Sequence, residues 1–190
     1  MFAPSSLEEA LQLLGELLAD RGHAYDVVVV GGGGLQLLGI IERPTRDVDL
    51  LGLLDAAGRM SSDRVLPRPL VEAVADVAAI LQLAPDWLNG GPAPLVKLGI
   101  PDGFTSRLQR RVYGSLGVLL ASRYDQIHLK LYAAADGAPN GKHHVDLKRL
   151  APTADELIAA ATWARTQDPS DGFALMVAGV LQSFGVMEPI

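Results

Sequence analysis

The chain has no cysteine, which excludes a disulfide framework and any thiolate metal site. It also lacks an excess of positive charge. Its 16 Lys and Arg stand against 22 Asp and Glu, a formal charge of -6, whereas a general nucleic-acid binder needs a basic surface to neutralise phosphate. Long apolar runs are missing too. The longest, Val27 to Ile41, is broken by five glycines and Gln36 and bounded by Asp26 and Glu42, and it is shorter than the ~20 residues of a membrane helix. Met1 to Glu9 carries neither the basic patch nor the apolar core of a signal peptide. The expectation is a soluble, cytoplasmic protein with no membrane partner. Its 190 residues suit one domain, or one domain with a helical extension.

Against the acidic background, Arg107, Arg110 and Arg111 cluster in one segment, and Lys142, His143, His144, Lys148 and Arg149 in another. Each cluster reads either as a solvated face or as a phosphate-binding rim. His143 and His144 are adjacent, so on a helix they do not face one ligand, and a surface or phosphate-proximal role is the expectation for both.

What is present is concentrated between Val27 and Leu51. Four valines run into Gly31-Gly32-Gly33-Gly34, a short apolar segment follows, and then come Arg43-Pro44-Thr45-Arg46-Asp47-Val48-Asp49-Leu50. Side chains alternate across a strand, so Asp47 and Asp49 share one face with Cα atoms about 6.6 Å apart, while Val48 and Leu50 face the core. Two carboxylates so placed supply oxygen ligands to a hard cation such as Mg²⁺, or bridge a pair of ions roughly 4 Å apart for in-line displacement at phosphorus. Glycines let backbone N–H groups approach phosphate oxygens without obstruction by Cβ. Other readings stay open: the two aspartates as solvent-facing residues of an edge strand, or as partners of Arg43 and Arg46. A dinucleotide fingerprint fails because Gln36 stands where its third glycine is needed. A P-loop fails because no lysine precedes Lys97.

The spacing of Leu7, Leu11, Leu14 and Leu18, behind Ser5 and Ser6 with Glu8 and Glu9 three residues on, predicts a capped helix from about Ser6 to Asp20. Asp26 to Val30 reads as a buried strand, Gly34 to Ile40 as a short helix, and Asp47 to Leu53 as a second strand. A helix is expected to enter through Pro67 and Pro69. Residues 95–117 read as short strands and turns, with a strand over Gly117 to Ala121. Helical spacing returns over Arg123 to Ala135, followed by a polar connector, Asp136 to Lys142. Thr153 with Glu156 forms a capping box, and Asp168-Pro169 opens a last helix ending near Gly185. His128, Trp87 and Trp163 read as packing residues. The expected fold is α/β (α+β): a small mixed twisted sheet with flanking helices over 1–121, then a mostly helical part over 122–190.

The combination of Gly31-Gly32, an apolar segment, Arg43, Thr45, Asp47 and Asp49 resembles the glycine pair and spaced Asp-x-Asp of the polymerase-beta-type nucleotidyltransferase superfamily. It is similar above all to the minimal bacterial group that includes the AbiEii toxins of type IV toxin-antitoxin systems. Arg123-Tyr124-Asp125 with Lys130, and Lys142 with Asp146-Leu147, resemble that group's downstream lysine and Asp-Leu motif. The resemblance implies an enzyme moving a nucleoside monophosphate from an NTP to an acceptor such as a tRNA end, a protein or a small molecule. It implies Mg²⁺ or Mn²⁺ on Asp47 and Asp49, and a nucleotide held by Gly31, Gly32, Gly33, Arg43, Thr45 and Arg46. Lys130 would balance phosphate charge, Asp146 would support the site or the lysine, and an antitoxin is an implied partner. Two departures stand out. Gly33 replaces the Ser or Thr that often follows the glycine pair, and Gly117 to Ala121 carries no third carboxylate. Asp102, Asp125 and Asp146 are the candidates to supply one. A catalytically degenerate module that binds nucleotide or a protein partner is the alternative.

Overall fold

A computed structural model describes Phe2, residues 4–138 and residues 140–187, with the side chains of Pro4 and Ser5 excepted. The chain divides into two compact units. The first comprises residues 1–100 and 105–121, the second residues 101–104 and 122–190.

The first unit is a mixed five-stranded sheet with helices. In chain order its elements are α1 (Pro4–Asp20), β1 (Tyr25–Val30), α2 (Gly31–Leu37), β2 (Val48–Leu54), α3 (Arg68–Leu81), β3 (Leu88–Asn89), α4 (Leu95–Leu98), β4 (Gln109–Tyr113) and β5 (Leu116–Leu120). The strand order is β3-β2-β1-β5-β4. β1 runs parallel to β5 and antiparallel to β2, β2 is parallel to β3, and β4 is antiparallel to β5. One sheet face, made by Val27, Val29, Val48, Leu50, Leu116, Val118 and Leu120, joins a single core with Leu7, Leu11, Leu14 and Leu18 of α1 and Leu70, Val74 and Val77 of α3. The alternating spacing of four and three in α1 and of two in the strands is what brings these residues to one layer.

α1 begins two residues earlier than its spacing predicts, so Ser6 lies inside the helix rather than capping it. The cap expected of Ser5 lies outside the described side chains. The glycine run is not a loop ahead of a helix: Gly31 to Gly34 are themselves the first turn of α2. Pro67 precedes α3 and Pro69 sits in its first turn. Residues 95–117 hold α4, a 3-10 turn at Phe104–Arg107, and β4.

The second unit is helical: α5 (Arg123–Ala135), α6 (Lys142–Arg149), α7 (Ala154–Gln167) and α8 (Asp171–Gln182). α5 packs against the other three, and Asp125 through Leu131 are all buried, as expected of a helix surrounded on every side. On α5 the Tyr124 ring packs on His128, centroids 4.4 Å apart, while His128 and Tyr132 meet Trp163 of α7 and Tyr132 meets Phe173 of α8, with centroids 5.4–6.0 Å apart. α6 begins at Lys142, the end of the expected polar connector, and covers residues for which the spacing predicts no helix. α8 starts at Asp171 rather than at the proline, capped by Ser170, whose hydroxyl accepts from the Phe173 N–H.

α7 carries the capping box in full: Thr153 Oγ1 accepts from the Glu156 N–H at 3.2 Å and Glu156 Oε2 accepts from the Thr153 N–H at 2.9 Å. Thr153→Ala is expected to cost about 1 kcal/mol, read as a fall in the urea midpoint at constant m-value. Among the described residues no helix is long and apolar enough to cross a membrane.

Candidate active site

Val30, the last residue of β1, pairs with Asp49 of β2, and Val29 with Leu50. The chain therefore turns into Gly31 beside Asp49. Gly31 has φ +71°, and a Cβ built there comes 2.6 Å from Asp49 Oδ2, so the missing side chain is what lets backbone and carboxylate approach. A Cβ at Gly32 would lie 2.9 Å from Thr45 Oγ1 and 3.6 Å from Arg43 Nη2. One at Gly33 would lie 3.3 Å from the Asp47 carbonyl oxygen and 3.4 Å from Val48 Cα. Glycine bend, Thr45, Arg43 and the Asp47 to Asp49 segment thus meet at one end of the β1/β2 pair. Asp47 stands just before β2, not within it, and both aspartates are half-exposed on either side of fully buried Val48.

The lead-in to β2 is held at several points. Phe2 and Thr45 exchange backbone hydrogen bonds, Phe2 N–H to Thr45 O at 2.6 Å and Thr45 N–H to Phe2 O at 3.1 Å. Thr45 Oγ1 donates to the Asp47 carbonyl at 3.1 Å, and the Val48 N–H donates to the Trp87 carbonyl. The buried Gln36 amide donates to the carbonyls of Phe2 and, at 3.5 Å, Arg43. The Phe2 ring packs on Trp87, centroids 5.6 Å apart, and both are buried. Sequence reasoning missed Phe2 and Gln36 as supports of this loop. The only signal was one amide inside an apolar run, which a buried hydrogen-bonding role explains.

Arg46 points elsewhere: its guanidinium pairs with Asp86 at 3.5 Å, with both side chains well exposed. Arg110 and Arg111 are not a free rim. Arg110 pairs with Asp26 at 2.6 Å, and Arg111 binds Glu8 at 2.7 Å and donates to the Leu37 carbonyl. The Tyr113 hydroxyl donates to the same Glu8, and burial, then that hydrogen bond, push its pKa up to about 12.

In the second unit, Lys130 Nζ of α5 lies 2.7 Å from Asp146 Oδ2 of α6, with side-chain exposures of 5% and 0%. Asp146 therefore pairs across to Lys130, not with its neighbours Lys148 or Arg149. Asp125 is buried at the start of α5, where Ser122 Oγ donates to its carboxylate at 2.5 Å and accepts from its N–H. His128 is buried between Tyr124 and Trp163. His144, expected near the surface, is buried against Phe184, and burial followed by the charge of Lys148 lowers its pKa.

The donor chemistry around the glycines fits Mg²⁺ or Mn²⁺: two half-exposed carboxylates offer hard oxygen ligands, and Mg²⁺ is commonly held by one or two carboxylates together with substrate phosphates. Among the described residues no group of three or more His, Cys, Asp and Glu is placed to hold a metal. The space that side chains would take at Gly31 and Gly32 is occupied by the Asp49 carboxylate and by Thr45 Oγ1, with Arg43 Nη2 next to it. No family model, curated protein or solved structure matches this chain, and the reading of the site rests on its own residues.

Proposed function

We propose that the chain is a metal-dependent nucleotidyltransferase that moves a nucleoside monophosphate from an NTP to an acceptor such as tRNA, a protein or a small molecule. The observation that carries the reading is the approach of the Gly31 backbone to the Asp49 carboxylate, with Asp47 two residues away and Arg43 on the same bend. A charge-neutralising divalent cation on Asp47 and Asp49 supplies electrophilic activation of the α-phosphate when bound. The half-exposed backbone of Gly31 and Gly32 is assigned to the triphosphate and Arg43 supplies a positive charge, while buried Gly33 and buried Thr45, whose hydroxyl donates to the Asp47 carbonyl, hold the bend in place. One aspartate orients the acceptor hydroxyl and takes its proton. The acceptor oxygen bonds to the α-phosphorus, the α–β bridging bond breaks, and pyrophosphate leaves with the electron pair. The toxin-type resemblance makes an antitoxin the proposed protein partner, and a cytoplasmic location follows from the same reading.

A second reading, a degenerate module that binds nucleotide without turnover, is favoured by two observations: β5 carries no carboxylate and Gly33 brings no hydroxyl to the bend.

The test uses each α-³²P-labelled NTP with Mg²⁺ or Mn²⁺, alone and with total tRNA. Label is expected on the protein or the tRNA, falling roughly a hundredfold or more in the Asp47→Ala, Asp49→Ala double variant, as when a transition-state charge partner is lost. Label that persists in the variant removes these residues from the chemistry. Calorimetric binding without label supports the module, and no binding of any NTP overturns both readings.

A further inference from the structure

In the parallel β2/β3 ladder Val48 pairs with Leu88 and Asp49 with Asn89. Val48 and Leu88 both belong to the core shared with α1 and α3. Side chains alternate along a strand, so Asn89 stands on the same outer face as Asp49, one strand spacing of ~4.8 Å away. Asp49 thus has a neighbour on each side. From β1 comes the Gly31 bend, where a Cβ would lie 2.6 Å from Asp49 Oδ2, and from β3 comes Asn89. The Asn89 carboxamide is held in one orientation: its Oδ1 accepts from the Gly91 N–H at 2.9 Å and its Nδ2 donates to the Asp86 carbonyl at 3.3 Å, contacts that a flipped amide would not make. Gly90 between them is buried, and a Cβ there would lie 2.7 Å from the Arg64 carbonyl oxygen, so the turn that holds the amide is itself packed. Asn89 is half-buried. An amide nitrogen carries two hydrogens, and among the described residues only one of those on Asn89 is used.

In-line displacement at phosphorus sets the attacking oxygen opposite the leaving group. With pyrophosphate leaving over the Gly31 bend and the α-phosphate at Asp49, the acceptor enters from the β3 side. We propose, on the basis of the nucleotidyltransferase reading above, that Asn89 is the acceptor-binding residue of this site. Its remaining Nδ2–H donates to an oxygen of the acceptor and holds the attacking hydroxyl against the α-phosphate. A carboxamide is not a base, so the acceptor's proton still goes to an aspartate, and the acceptor is held on this side by a hydrogen bond rather than by charge.

Mn²⁺ titration reads the placement without turnover. Asn89→Asp keeps an oxygen for the Gly91 N–H and puts a third charge on the face; it is expected to tighten Mn²⁺ binding about tenfold, the effect of one added charge roughly 5 Å away in a water-like dielectric. An unchanged Mn²⁺ affinity overturns the shared face. The role is read from transfer of label from α-³²P-ATP to total tRNA or to the chain itself. Asn89→Ala is expected to raise the KM for tRNA, or to slow self-labelling where the chain is its own acceptor, by about three- to tenfold, the loss of one neutral hydrogen bond. Its affinity for an ATP analogue with a methylene bridge between the α- and β-phosphorus, measured by calorimetry without acceptor, is expected to stay that of the parent. Transfer that is unchanged in Asn89→Ala overturns the proposal, as does an equal loss of analogue affinity, which would put Asn89 on the nucleotide. A parent chain that neither binds NTP nor transfers label loses the enzyme and this role together, whereas labelling that depends on Asp47 and Asp49 but not on Asn89 loses this role alone.

Discussion

Asp146→Ala is expected to remove about 3–5 kcal/mol of folding stability, because it leaves the Lys130 ammonium buried without its counter-charge. The two side chains are 5% and 0% exposed and 2.7 Å apart, a position in which neither water nor salt substitutes for a lost partner. The surface pairs Arg68 with Glu72 and Arg59 with Asp55 are of similar length, yet each is expected to contribute little, since exposed pairs gain little over hydration. Replacing both members, as Lys130→Met with Asp146→Leu, is expected to return most of the lost stability, because a well-packed apolar pair is often no worse than a buried ion pair. Urea unfolding of the parent, both single variants and the double variant decides it. A single variant that loses less than about 1 kcal/mol contradicts the buried pair. The same double variant separates packing from chemistry: if it folds and its NTP labelling is lost, Lys130 acts on the phosphate, and if labelling is unchanged, the pair is structural only.

That pair also marks where residue spacing stops being informative, since only the resemblance offered Lys130 as a partner for Asp146. The helix over Arg123–Ala135 was legible to its ends because Ile127, Leu131 and Ala134 recur at helical spacing. The capping box at Thr153 and Glu156 was legible because its two hydrogen bonds are local. α6 was not legible. Its buried face is His144, Asp146 and Leu147, and periodicity of apolar residues does not register a face made largely of polar groups satisfied from other helices. Lys130 is sixteen positions from Asp146, whereas Lys148 and Arg149 are two and three away, so nothing in the spacing selects the distant partner. The start of α2 was misplaced for a related reason. Glycine is a poor helix former, which argues for a loop through Gly34, but tight packing of Gly33 against Val48 and Asp47 decides the conformation instead. The juxtaposition of glycines and aspartates was legible as a pattern. The Phe2 latch was not, because one aromatic residue outside any periodic run carries no signal of its partner, Thr45, forty-three positions on.

Gly31→Ala is expected to cost about 3 kcal/mol, in two parts that controls can separate. The first is backbone strain: at φ +71° an L residue occupies the left-handed region, at about 1–2 kcal/mol. Gly39 has φ +72°, and a Cβ placed there would meet nothing within 4 Å, so Gly39→Ala measures that strain alone. The second is collision, since the Gly31 methyl would lie 2.6 Å from Asp49 Oδ2 and overpacking of this kind costs about 1–3 kcal/mol. Removing the opposing carboxylate relieves it, so the penalty for Gly31→Ala in an Asp49→Ala background is expected to fall to that of Gly39→Ala. The difference is a coupling energy between bend and carboxylate, readable by urea denaturation without substrate or metal. A coupling near zero would mean that the two groups do not touch, and the nucleotidyltransferase reading would lose the contact on which it rests. A coupling above about 1 kcal/mol fixes the Gly31 backbone against Asp49, and labelling by NTP in Gly31→Ala is then expected to fall with it, because the methyl group displaces the carboxylate proposed to hold the metal.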